Sequence, residues 1–126
     1  MNNNPQITGT AAQIVVPNVV KTAEYYINVL GFELVDYFFE EPPVYGIVQR
    51  DGHQVHFGKS DGDIIHRNDT IRKGMPDFIL RVPEIEAFYT EVTGKGAVIV
   101  QQIIRRSYGR EFIIEDSDGH LVHVCD

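Results

Sequence analysis

Apolar and polar positions along the chain alternate between two periods, and the changes of period mark the elements. Ala11 to Val16 is a short run ending in β-branched residues, a strand by composition, closed by Pro17. Asn18 is a helix cap, and Val19, Ala23, Tyr26, Ile27 and Leu30 then recur at helical spacing as one buried stripe until Gly31 stops the helix. Phe32 to Phe39 reads as a strand, broken by Glu40-Glu41-Pro42-Pro43. Val44 to Arg50 and His53 to Phe57 are strands joined by the hairpin signal Asp51-Gly52. The polar stretch Gly58 to Gly74 is a connection, and the order then returns. Asp77 to Val82 is a strand, and Pro83 opens a helix through Ile85, Phe88 and Val92 that Gly94 and Gly96 end. Ala97 to Ile104, Arg110 to Glu115 and His120 to Cys125 are strands.

The recurrence is visible in the letters as well. D-G-H-Q-V-H-F from Asp51 returns as D-G-H-L-V-H-V from Asp118, Tyr26-x-x-Val29-x-Gly31 as Tyr89-x-x-Val92-x-Gly94, and Val16-Pro17 as Val82-Pro83. This is one α+β domain over residues 1–126, made of two βαβββ modules at about 9–58 and 76–126 with the connection over 58–75. Neither module can bury its sheet alone, so the two are expected to pack into one curved mixed sheet around a cavity, helices outside. Strand parity sends Val55, Phe57, Val122 and Val124 against the helices. Gln54, His56, Leu121, His123 and Cys125 then face the cavity.

Composition narrows the class. Eighteen Asp and Glu against eleven Lys and Arg give a net charge of −7, which argues against nucleic acid as a partner. The single cysteine, Cys125, forms no internal disulfide, which fits a reducing, cytoplasmic setting. Residues 1–8 read as a polar tail without signal-peptide character, and no apolar run is long enough to span a bilayer. Among chemistry-bearing residues, Tyr37, Phe39, Tyr45, Tyr108 and Phe112 lie in or beside strands that curve around the cavity, where aromatics with a few polar groups suit a flat or amphipathic ligand. Gln13 shares the face of Ala11. Arg81 is the candidate charge inside the cleft, better placed than Arg105, Arg106 and Arg110 at the Ser107-Tyr108-Gly109 turn. His53 and His120 follow turn glycines on the opposite parity and read as surface residues.

The phrase from Val16-Pro17-Asn18 through Tyr25-Tyr26-Ile27-Asn28-Val29-Leu30-Gly31-Phe32 resembles the start of vicinal oxygen chelate proteins, the superfamily of glyoxalase I, bleomycin-resistance proteins and extradiol dioxygenases. The ending Gly109-Arg110-Glu111-Phe112 through Asp116-Ser117-Asp118-Gly119-His120 does so too. Metal-binding members take ligands from the first and last strand of each module, and by register these positions are Ala11, His56, Asp77 and His123. Alanine binds no metal. The remaining three make a two-histidine, one-carboxylate set suited to one divalent ion, Fe, Mn, Ni or Zn. Glyoxalases of the family usually carry Glu where this chain has His56 and His123, so the resemblance does not imply glyoxalase I activity. Two functions follow from the resemblance. One is a metal-free binding protein of the bleomycin-resistance type that holds an aromatic or amphipathic small molecule, which is the reading preferred. The other is a metal-dependent lyase, isomerase, transferase or dioxygenase using His56, Asp77 and His123. The resemblance also implies a homodimer, often with cavities shared between chains.

Overall fold

The computed structural model describes residues 4–126, so the first three residues of the expected tail lie outside it; residues 4–11 form no helix or strand. Strand β1 (Ala12–Val16), helix α1 (Val19–Asn28) and strands β2 (Glu33–Phe38), β3 (Tyr45–Arg50) and β4 (His53–Lys59) make the first module. After the short helix α2 (Asn68–Ile71) come β5 (Phe78–Arg81), α3 (Ile85–Gly94), β6 (Val98–Arg106), β7 (Gly109–Glu115) and β8 (Leu121–Cys125). Local chemistry sets the boundaries. Asn18 caps α1, its Oδ1 accepting the Lys21 N–H at 3.0 Å. Gly31 adopts φ +76° just past the helix. Asp51 and Gly52 both take positive φ, as the two-residue hairpin between β3 and β4 requires.

Each module forms its own mixed four-stranded sheet, in the orders β1-β4-β3-β2 and β5-β8-β7-β6, with the first strand parallel to the last. The two halves therefore repeat register for register, Ala12 opposite Val55 and Phe78 opposite Val122. The expected single curved sheet is instead two sheets, because β1 and β5 end as outer strands. On the outer side of β1, the Val15 carbonyl is met by the His120 ring and not by another strand.

One core joins the modules. Val16, Tyr26, Leu30, Val48 and Phe57 of the first half and Ile85, Phe112, Ile114, Val122 and Val124 of the second belong to a single buried cluster. Above it each module's turn reaches the other module's helix. Arg50, at the end of β3, makes a two-pronged pair with Glu91 of α3 at 2.7 and 3.0 Å, and its guanidinium lies 5.1 Å from the centre of the Phe88 ring. Reciprocally, Asp116 and Asp118 before β8 accept the hydroxyls of Tyr26 (2.8 Å) and Thr22 on α1. Burial pushes the Tyr26 hydroxyl well above its ordinary range, with the Asp116 carboxylate adding to the effect. Among the described residues no helix is long and apolar enough to cross a membrane.

Candidate functional site

The helices cover one face of each sheet and leave the other open, and strand pairing decides which side chains the open faces carry. In the first module Gln13, Tyr45, Ile47, Gln54 and His56 project there, because Val55 and Phe57 of β4 are buried against α1. Four of these form a chain of hydrogen bonds. Gln13 Nε2 donates to the Tyr45 hydroxyl at 2.6 Å, that hydroxyl meets His56 Nδ1 at 2.7 Å, and His56 Nε2 meets Gln54 Oε1 at 2.8 Å. With Gln54 Oε1 as acceptor, His56 carries its proton on Nε2, and Nδ1 accepts the hydrogen bond donated by the Tyr45 hydroxyl. Both ring nitrogens are thereby engaged.

The second module repeats the arrangement with different chemistry. Tyr45 lies opposite Gly58, and at the equivalent place Glu111 lies opposite Cys125. Only 4% exposed, the Glu111 carboxylate accepts from Gln101 Nε2 at 3.0 Å and from the Tyr108 hydroxyl, and lies 3.2 Å from His123 Nε2 and 3.6 Å from Arg106 Nε. Burial alone would push this carboxyl up; the Gln101 and Tyr108 hydrogen bonds and the neighbouring His123 ring hold it down at about 2. It is an anchored negative charge on the open face.

The sequence-predicted residues are thus distributed as follows. Gln13, Tyr45 and His56 come together on the first open face. On the second are His123, Tyr108 and Arg81, whose Nη1 donates to the Asp126 carbonyl at 3.2 Å. Asp77 stands apart from both. Its Oδ1 accepts the Asn68 N–H (2.9 Å) and its Oδ2 the Leu121 N–H (3.0 Å), with His120 Nδ1 3.1 Å from Oδ2. His120, expected at the surface, is 2% exposed: its Nε2 meets the Val15 carbonyl, and its Nδ1 lies 3.1 Å from the Asp77 carboxylate without forming a hydrogen bond. Two aromatics differ from expectation. Phe112 is fully buried against Phe88 and Tyr89, opposite Val124 on the helix-covered face. Tyr37 also turns toward α1, since the bulge between Leu34 and Asp36 shifts strand parity and sets it opposite Gly46, against Val19. Phe39 is exposed just past β2. Glu111 and Gln101 are site residues that no motif in the sequence singles out, while Gln54, on the cavity face by parity, joins the site through His56. Register along β7 and β8 was the signal for Glu111, diagonal to His123.

The implied metal set does not fit these residues within one chain. The Asp77 side chain is 7% exposed and its oxygens accept two backbone N–H groups beside the His120 ring, while His56 is engaged at both nitrogens. Among the described residues no group of three or more His, Cys, Asp and Glu is gathered that could hold an ion.

The model of the Glyoxalase/Bleomycin resistance protein/Dioxygenase superfamily matches residues 7–124. The chain belongs to this superfamily. Among curated proteins, none matches it. Solved structures of the same fold include a glyoxalase-related enzyme from Clostridium phytofermentans, with TM-score 0.75 and 16% identity over 98% of this chain and 97% of that one. The bleomycin-binding protein from bleomycin-producing Streptomyces verticillus, complexed with copper(II)-bleomycin, superposes with TM-score 0.74 at 17% identity, covering 97% and 98%. An antibiotic-binding protein from Streptomyces sp. CB03234 gives 0.67 and 17%, covering 96% and 98%.

Proposed function

We propose that this superfamily member is a cytoplasmic small-molecule-binding protein that holds an aromatic or amphipathic ligand on its open sheet faces without a metal. The observation that carries the reading is the use made of two of the three candidate ligands. Asp77 is spent on holding β8 and His120, and His56 on a closed hydrogen-bond chain. What the faces offer a ligand is hydrogen bonding from Gln13, Tyr45 and Gln54 on one side and the fixed charge of Glu111 on the other, beside apolar surface. That surface is considerable: Val15 is 49% exposed, Ile79 61% and Val98 53%. A second copy covering these faces would turn each into the wall of a closed cavity, so the working unit is a homodimer. Bleomycin and antibiotic binding in structural relatives adds support for this class of ligand.

The test is isothermal titration of protein made without a polyhistidine tag, using copper(II)-bleomycin and planar aromatic and amphipathic compounds, together with its metal content. Expected is saturable binding that the double change Tyr45→Phe, His56→Ala weakens roughly tenfold or more, the effect of losing hydrogen bonds in a desolvated site. Stoichiometric Fe, Mn, Ni or Zn that vanishes in both His56→Ala and His123→Ala would overturn the reading in favour of a metal-dependent enzyme.

A further inference from the structure

The two modules correspond residue by residue, yet the two seams where they meet differ. The D-G-H repeat makes His53 the counterpart of His120, and strand register makes Ala11 the counterpart of Asp77 and Arg81 that of Val15. At the second module's seam these places are closed. His120 is buried, with Nε2 2.8 Å from the Val15 carbonyl and Nδ1 3.1 Å from the Asp77 carboxylate, which also takes the Leu121 N–H. At the first module's seam, His53 and Ala11 are exposed and the alanine methyl supplies no acceptor. A cavity of about 890 Å³ lies there.

Its apolar wall includes Phe32, Val55, Phe78 and Leu80, and His53 and Arg81 line it as donors. Arg81 spends one N–H on the Asp126 carbonyl, and a guanidinium has four more. Of the acidic residues along the cavity, Glu91 is already paired with Arg50, and Asp51 lies 3.7 Å from the same guanidinium. Arg50 balances one of these two carboxylates, so with Glu84 and Arg81 counted the lining carries one negative charge in excess, which disfavours multiply charged anions. The volume is that of an ordinary small-molecule site.

We propose that this cleft is a second binding site, at the rim of the open sheet faces and sharing Gln54 and Arg81 with them, for an amphipathic carboxylic acid. The ligand's carboxylate takes the place that the Asp77 side chain fills at the opposite seam, against His53 and Arg81. Its apolar body lies along Phe32, Val55, Phe78 and Leu80. The inference needs neither the homodimer nor the open-face reading.

Decanoate, decanol and decyltrimethylammonium, each titrated calorimetrically into the full chain below its micelle concentration, test it. Decanoate should bind one per chain and at least tenfold more tightly than the other two, as loss of charge-assisted hydrogen bonds implies. Ala11→Asp, which supplies the missing carboxylate from the chain itself, should weaken decanoate about tenfold or more. Should that variant not fold, the double change His53→Ala, Arg81→Ala carries the same expectation. Tyr45→Phe, on the open face, should leave decanoate affinity unchanged, which separates this site from the one proposed above. Absence of decanoate binding, equal binding of decanol, tighter binding of the ammonium compound, or indifference to the seam substitutions would each overturn the proposal.

Discussion

The carboxylate of Glu111 offers a test of the open-face electrostatics that needs no ligand. Glutamate ordinarily titrates at 4.5, and here it is held at about 2. The depression means that the folded chain prefers the ionised form. Its stabilisation is fully present above the unfolded value and is lost as pH falls toward the folded one. At 1.36 kcal/mol per pH unit the ionised group contributes about 3 kcal/mol at pH 7 and about 1.4 kcal/mol at pH 3, vanishing below pH 2. With the side chain only 6% exposed, solvent screening removes little of this. Glu111→Gln keeps the shape and deletes the charge. Urea unfolding of the two proteins at one fixed concentration, at pH 7, 4 and 3, should give a stability difference of about 3 kcal/mol that narrows steadily over that range. Taking the difference cancels the titration of every other carboxylate. A gap that stays constant from pH 7 to pH 3 would refute the idea that Gln101, Tyr108 and His123 are stabilising an anion, and would leave Glu111 as a packing residue alone.

Tyr26→Phe should cost about 1.5–3 kcal/mol in the same unfolding assay, since it removes the hydroxyl donated at 2.8 Å to Asp116 and leaves a buried carboxylate short of a partner. Gly46→Ala should cost about 1–3 kcal/mol, because a β-carbon there would lie 2.7 Å from Val19 Cγ1 and 3.3 Å from the Tyr37 ring; a neutral result would mean that α1 sits more loosely on β3 than the packing implies.

What the sequence revealed, and what it concealed, divides by the distance over which the cause acts. Periodicity and turn chemistry are local, so the repeated order of strands and helices and the outward direction of Gln54, His56 and His123 were readable from neighbouring letters. Tyr37 faces α1 because the bulge after Leu34 reverses parity for the rest of β2, a shift that no neighbouring letter marks. Phe112 lies opposite Val124 on the helix-covered face, a pairing that the register between β7 and β8 sets. His120 is the opposite case. Its burial depends on a carboxylate at Asp77 and a carbonyl at Val15, far away in the chain, and nothing next to His120 announces either. Asp77 stands where metal-binding members of the superfamily carry a ligand; that two backbone N–H groups claim its oxygens beside the His120 ring is tertiary information.

The exchange of turns between modules also bears on how the chain reaches this structure. Thr22 and Asp118 are 96 positions apart, and Tyr26 and Asp116 are 90. Hairpins such as β3–β4 close over a few residues, whereas these clasps require the ends of nearly the whole chain to meet, so the seams assemble after the step that sets the folding rate. A substitution confined to a clasp should therefore hasten unfolding while leaving the speed of folding almost untouched. The lifetime of the native state is set where the halves grip one another.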